Sequence, residues 1–520
     1  MITKLKLDNF WVIFVVLHFL VMTRTTPLIL LFFVPLLLNA QIFPKEESHL
    51  NFRLIGFSFP PEKGNAACTL EIAKGHFNNT DSFKKNIIKS INCKTNKIVA
   101  EVPAFGCDYT WCTVYTNKGK KTFSDLHHFA VTSIPEIDTN LRRLSIETAA
   151  KKYKDAYVFL DGFRELFDMK GTPIWYLPPV EGAFISPRDL KITPQGTLTF
   201  LFNGKAYETN LKGDILWKGP ENGNGDRDNY HHELTRLNNG HYMVLGNERI
   251  LLKLSSHDSS LLTLTAYKVI KGDDGNLYQE VEFGDVKEYD EHSNLVWSWG
   301  TEKYFESTDI FLCKNEQGLL DIDVHENAFY FDTATKSIYL SFRNISRILK
   351  IKYPEGNVLS SYGNTYKPGG GKELGNDLYC DQHCIRKSDS GYLYLFNNND
   401  CNMPNPPKII IAKEPEEPGN KLKKIWEYEC NPMHAGVTKR AKIKPAGNVT
   451  ELPDHSIFAQ MSWGYSSVFI INRNKQILWS AYPEIWNPTE QKWDVLLYQY
   501  RASIITDPKQ LEQMVWNAEM

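Results

Sequence analysis

The sequence predicts an all-β chain: a six-bladed β-propeller preceded by a small N-terminal β-sandwich-like domain. Three observations predict it. A strand ending in Trp after a polar turn recurs as K-G-T-P-I-W at 170–175, K-G-D-I-L-W at 212–217, S-N-L-V-W at 293–297, L-K-K-I-W at 422–426 and N-K-Q-I-L-W at 474–479, with a Trp-less copy, G-N-V-L-S-S, at 356–361. Most copies follow a second mark, a polar turn and an alternating strand, as in L-N-N-G-H-Y-M-V-L from Leu237 and S-D-S-G-Y-L-Y-L-F from Ser388. The repeat is also incomplete at both ends: 156–175 lacks an inner strand, and 496–502 is placed to supply it. Such a unit is too small to bury both faces alone, and radial packing solves its exposed edges. A solenoid needs no such exchange between its ends.

Composition agrees. Aromatics make up 13% of the chain, and Gly and Pro punctuate short alternating runs. With 520 residues and a formal net charge of −2, the chain has ample core and no electrostatic reason to bind nucleic acid or an anionic membrane.

Taken in order, residues 1–40 read as a signal peptide, with apolar runs at 10–22 and 28–38 and a small residue, Ala40, for cleavage. Met22 is an alternative start, and a retained membrane anchor is the rival to secretion. No stable membrane partner is expected. Residues 41–145 read as a disulfide-stapled β domain, and 150–520 as the propeller. Nine cysteines in a secreted chain imply disulfides. Cys107 with Cys112 and Cys68 with Cys93 are the expected pairs there, while Cys380, Cys384 and Cys401 cluster farther on. Sequons begin at Asn78, Asn344 and Asn448, marking a glycoprotein. Residues 142–154 read as a short linking helix, and the 250–290 insertion as an overhang of the channel.

Aligning the repeats on their turns reveals the chemistry. His232 lies eight residues before Gly240, His383 eight before Gly391, and Arg188 eight before Gly196. His325 opens the intervening blade, and Arg343 follows it by 18 residues, the span of a hairpin carrying both side chains to one end. For any one of these residues, packing or solvation explains it as well as function does. Three histidines at equivalent positions at a channel mouth are harder to explain by packing. The doublet of His231 and His232 leaves open which ring faces inward, and the blade alignment selects His232. His434, His127 and His128 read as structural or loop residues. A zinc site is disfavoured, because no His-x-His or His-x-x-x-His spacing occurs at these positions and an arginine in the cluster repels a cation.

The motifs H-H-E-L…N-G-H-Y-M-V-L, V-H-E-N-A…I-Y-L-S-F-R-N-I-S-R and D-Q-H-C…G-Y-L-Y-L-F-N-N together resemble the arylsulfotransferase family, the aryl-sulfate sulfotransferases that do not use PAPS, over about residues 150–505. The resemblance implies a six-bladed propeller. It implies His383 as the nucleophile that carries a transient sulfohistidine, with His325, Arg343 and His232 completing the catalytic group. It further implies no cofactor, no metal, and a small-molecule aryl sulfate donor and phenolic acceptor as partners. Arg188 and Arg501 are added as substrate-binding candidates. One departure is that Cys384 follows His383 where the family carries an acidic residue, so Asp381 becomes the candidate to orient the imidazole. The alternatives are a catalytically inactive binding propeller and a sulfatase-like hydrolase.

Overall fold

The computed structural model describes residues 2–7, 10–15, 42–61, 67–133, 141–149, 151–221, 230–253, 269–302, 304–305, 324–363, 365–366, 372–373, 378–399, 405–417, 421–430, 446–462, 466–496 and 499–518. It is nearly all β. Among the described residues the α-helices are Thr80–Lys85 and Pro508–Asn517.

Between residues 142 and 505, six antiparallel sheets of four or more strands succeed one another. The first consists of Pro173–Tyr176, Glu165–Asp168, Tyr157–Leu160 and, from the far end of the chain, Ala502–Ile505. The second runs Arg188–Ile192, Leu198–Phe202, Lys205–Thr209 and Ile215–Lys218. The third opens with His231–Arg236, the fourth with Glu326–Asp332, the fifth with Gln382–Lys387 and the sixth with Gly447–Glu451. These opening strands touch one another in that sequence. Ala502–Ile505 touches both Arg188–Ile192 and, in the sixth sheet, Ile457–Met461, so the series of contacts returns on itself.

The recurring Trp has a job in this arrangement. Its indole N–H donates to a carbonyl in the turn before the last strand of the next sheet: Trp175 to Leu211 at 2.7 Å, Trp297 to Pro354 at 2.8 Å and Trp426 to Arg473 at 2.8 Å. Trp479 of the last sheet reaches Met169 of the first at 3.1 Å. These four rings thus satisfy a turn carbonyl of the neighbouring sheet, whereas Trp217 Nε1 meets no hydrogen-bond partner among the described residues and its ring stacks on Tyr242 at 3.6 Å.

The ends are joined differently from the sequence expectation. The returning strand is Ala502–Ile505, paired Leu160↔Ala502 through Tyr157↔Ile505, and shares only Ala502 with the expected 496–502. The expected helix over 142–154 is instead a strand, Arg142–Thr148, which pairs with Ile477–Asn487 and extends the sixth sheet, followed by a short 3-10 turn at Lys151–Tyr153. Alternation of Leu144 and Ile146 with polar residues suits a strand edge better than a helix. In the insertion, Tyr242–Lys253 and Leu277–Tyr289 pair as one long ribbon; 254–268 lies outside the described residues.

Residues 48–131 form a separate sheet in the order Ser48–Leu50, His127–Val131, Cys107–Asn117, Ala67–Lys74, Ile87–Asn92, with the pair Leu54–Ser58 and Lys97–Glu101 beside it. One apolar core joins this part to the first two large sheets, running from Phe57, Trp111 and Phe129 through Met514 and Val515 of the C-terminal helix to Trp175 and Phe200. The expected Cys107–Cys112 bridge does not form. Both are free thiols on one extended strand, five residues and so roughly 17 Å apart, facing different clusters. Cys68 and Cys93 are not disulfide-bonded either, although the Cys93 N–H donates to the Cys68 carbonyl at 2.9 Å. The sequon at Asn448 is taken up by packing: its side chain donates to Ala502 O at 2.8 Å and accepts from Ala502 N at 3.1 Å. No helix of the described residues is long and apolar enough to cross a membrane. Residues 16–41, which include the second apolar run and Ala40, lie outside the described residues, as do His434 and Cys401.

Candidate functional site

Four successive sheets begin with an irregular step in the ladder, between Arg188 and Lys191, His231 and Leu234, Glu326 and Ala328, and His383 and Ile385. At or beside those steps, Asp189, His232, His325 and Cys384 hold left-handed backbone angles of φ 57°, 57°, 56° and 59°. A non-glycine residue there is strained by about 1 kcal/mol or more, and bulges of this kind re-aim side chains. Four in register at one end of neighbouring strands mark a site.

The site brings together His232, His325, Arg343 and His383. The His232 and His325 rings meet edge to face with centroids 4.9 Å apart. Arg343 N–H donates to the His325 carbonyl at 2.9 Å, the hairpin closure that the 18-residue spacing anticipates. Arg343 Nε is buried and meets no hydrogen-bond partner among the described residues, leaving a donor on the guanidinium unspent.

His383 is 1% exposed. Its Nδ1 lies 2.6 Å from Asn398 Oδ1, and the Asn398 amide nitrogen donates to Ala446 O at 2.9 Å. The second bond fixes the amide with its oxygen toward His383, so Nδ1 carries the hydrogen and Nε2 the lone pair. Asn398, not Asp381, therefore orients the ring; Asp381 instead donates its N–H to Ser346 Oγ at 3.1 Å. The neighbouring Gln382 amide donates to Ser341 Oγ and Phe342 O, both at 3.0 Å, pinning the strand start to the fourth sheet. Burial, then the Arg343 charge and His325, holds His383 well below the usual imidazole range. Both effects favour the neutral ring. Cys384 is a buried free thiol against Val449 O, while Cys380 is disulfide-bonded to a partner outside the described residues.

The histidine doublet resolves by the same logic. His231 Nε2 lies 2.6 Å from Asn247 Oδ1 and 3.2 Å from Gly246 O, so it carries the hydrogen. His231 Nδ1 then accepts from His232 Nδ1 at 2.6 Å, leaving His232 Nε2 with a lone pair. Burial, then His231, His325 and His383, keeps His232 well below the ordinary imidazole range. His232 is the ring in the cluster, and His231 is its support.

Arg501 departs from its expected role. It is buried and committed to Asp189 at 2.8 Å, Glu233 at 3.3 Å and Asn327 O at 3.0 Å. Glu233 also holds Arg386 at 2.6 Å and Lys191 at 3.4 Å. Burial pushes the Glu233 carboxyl up, but Arg386, Lys191 and Arg501 outweigh it and hold it at about 2. These residues, three cations against two carboxylates, form an ionic cluster joining the opening strands of the second, third and fifth sheets to the returning strand, and Arg501 is a brace within it. Arg188 stands exposed with its guanidinium 5.5 Å from the Tyr500 ring, and Tyr500 in turn lies 6.1 Å from His232. Asp161 sets this corner by accepting from the Tyr500 and Arg501 backbone N–H groups at 3.1 and 2.9 Å. Sequence reasoning missed Asn398, His231 and Glu233 as working parts. The one available signal was the run Asn397-Asn398-Asn399 directly behind a buried strand.

A family model described as Arylsulfotransferase (ASST) matches residues 145–432. No curated protein matches the chain. Among solved structures, a protein of unknown function from Bacteroides caccae is 10% identical, with 68% of this chain and 98% of that chain covered at a TM-score of 0.40. The periplasmic gluconolactonase PpgL of Pseudomonas aeruginosa is 12% identical, covering 70% and 99% at 0.30. AztD from Citrobacter koseri is 10% identical, covering 85% and 98% at 0.30.

Proposed function

The chain belongs to the arylsulfotransferase family, and on that premise we propose that it moves a sulfuryl group from an aryl sulfate to a phenol, without PAPS, by a two-step exchange through His383. The observation that carries this reading is the His383–Asn398 contact at 2.6 Å, which leaves Nε2 of a neutral, buried imidazole as the lone-pair atom.

In the first step Nε2 attacks sulfur. The S–N bond forms, the ester S–O bond breaks, and its electron pair leaves on the phenolate. In the second step the acceptor phenol oxygen attacks the same sulfur, the S–N bond breaks, and its pair returns to Nε2. An acceptor phenol has a pKa of about 10, so a base is needed, and His232 Nε2 takes its proton before passing it to solvent or to the departed phenolate. The transferring group spreads charge over its oxygens, and the Arg343 guanidinium and His325 are the groups to hold it.

Around this chemistry we read the six sheets as blades of one propeller occupying 150–520, with 41–145 as the N-terminal domain. The return of Ala502–Ile505 to the first sheet supports the ring. Secretion behind a signal peptide over 1–40 belongs to the same proposal.

Incubation with 4-nitrophenyl sulfate alone tests the reading. One equivalent of nitrophenol should appear in a burst, and mass spectrometry should find one sulfuryl group on the peptide containing His383. A second phenol should then discharge it. Turnover with water as well as with phenol would favour the hydrolase, and no burst at all would favour the inactive propeller.

A further inference from the structure

Far from the histidine cluster, three separate stretches of the N-terminal part bring carboxylates and imidazoles together. Glu46 and Glu47 form the turn before Ser48–Leu50, His76 follows Ala67–Lys74, and His127 and His128 open His127–Val131. We propose that Glu47, His76 and His128 constitute a zinc site that fastens the 46–47 turn to the N-terminal sheet.

His128 Nε2 lies 3.0 Å from the Phe77 carbonyl, which only accepts, so Nε2 carries the hydrogen and in the neutral ring Nδ1 carries the lone pair. That lone pair faces Glu46 Oε1 at 2.7 Å and Glu47 Oε1 at 4.0 Å. A lone pair facing carboxylates is a place where a cation, a proton or a metal ion, is held. The His76 ring stacks on His128 with centroids 4.0 Å apart and 9° between planes, and its Nε2 lies 3.1 Å from Glu47 Oε1. A single divalent ion would take a lone pair from each ring and an oxygen of Glu47, with the Glu46 carboxylate beside it.

The dimensions fit. His76 Nε2, His128 Nδ1 and Glu47 Oε1 lie within 4.8 Å of one another. A tetrahedral zinc with ligands at about 2.0–2.1 Å sets its ligand atoms roughly 3.4 Å apart, and the Glu47 Oε1 contacts of 3.1 Å to His76 and 4.0 Å to His128 straddle that value. The Phe77 carbonyl on the far ring nitrogen is the support a metal-bound histidine ordinarily has. The turn is held in place before any ion binds. Glu47 N–H donates to His128 O at 2.9 Å, and Glu46 Oε2 accepts from His128 N at 3.2 Å with His127 Nδ1 at 3.3 Å. Glu47 itself sits at φ 55°, a strained angle that the double attachment of the turn maintains.

The full-length chain, stripped with EDTA and dialysed, is titrated with zinc chloride by calorimetry and followed by thermal unfolding. The expected result is one zinc per chain and a Tm higher by a few degrees under saturating zinc. Glu47→Gln and His76→Gln remove ligands whose side chains are 64% and 39% exposed, so neither opens a cavity. Each should weaken binding by more than the roughly 10-fold typical of losing a supporting contact, and together they should abolish the Tm shift while leaving aryl-sulfate turnover unchanged. No binding by the wild-type chain overturns the proposal. So does binding that persists in the double variant, because the ion then sits elsewhere, for instance on the catalytic histidines.

Discussion

The Nδ1 atoms of His231 and His232 face each other at 2.6 Å, and Asn247 and Gly246 decide which of them holds the hydrogen. The chain of donors runs from His232 through His231 to the third sheet, so His231 acts only by fixing the tautomer of its neighbour. His231→Phe should keep the ring volume and lose the acceptor. Transfer to the acceptor phenol should slow by about 10²-fold, the scale of a lost general base, while the first-step burst is largely retained. Pre-steady-state kinetics with donor alone and with donor plus phenol separate the two.

Asn398 predicts a different signature. Asn398→Ala removes the hydrogen-bond acceptor for His383 Nδ1–H, so both tautomers become populated and the burst itself should slow by about 10-fold or more. Asn398→Asp keeps an acceptor oxygen and should recover most of the rate, with a rise in the pKa of His383 as its cost. Equal loss in both variants would point to a packing role through the Ala446 contact instead.

Arg343→Gln should lower the rate of both steps by about 10²-fold or more, the scale for losing one donor to transition-state charge. Thermal stability should change little, because the backbone bond to His325 does not depend on the side chain. His383→Ala should abolish the burst and the label together.

The pH dependence follows from the two buried rings. His232 and His383 are both held below the ordinary imidazole range, first by burial. The unfolded chain titrates near about 6.5, so below that pH it binds more protons than the folded chain and stability rises with pH across the window. Their contribution to stability should be fully present above about pH 6.5 and fall away as the solution is acidified toward the folded pKa values. The acid limb of kcat/KM should likewise be centred below about 6.5. A limb at or above it would mean that His383 is not the neutral nucleophile.

Trp479 carries the contact from the sixth sheet to the first. Trp479→Phe should cost about 1–3 kcal/mol from one buried hydrogen bond and lost ring area, seen as a lower denaturant midpoint. Truncation before Ala502 should be far worse, removing a whole strand from the first sheet and the C-terminal helix from the shared core.

Much of the fold was legible because its signals are local. A Trp at a strand end, a polar turn before an alternating strand, and Gly240 and Gly391 eight residues after a histidine are all read within one repeat. The pairing of His325 with Arg343 was readable for the same reason, since one hairpin spans it. The misreadings are also local in kind. Alternation over 142–148 supported a strand, and Cys107 and Cys112, of opposite parity on one strand, point to opposite faces.

What only the tertiary structure decided are contacts whose partners lie far away in the chain. Arg501 carries the charge expected of an anion binder, yet Asp189, 312 residues earlier, and Glu233 occupy its guanidinium. Asn398 rather than Asp381 orients His383, because the bulge at Cys384 turns the ring toward the second strand of its own sheet. Composition and spacing thus determined the all-β kind of fold and the residues that gather at one end of its neighbouring sheets. Which nitrogen is a donor, which is a base, and which charge is already spent depended on partners that only the closed ring of sheets brings within hydrogen-bond reach.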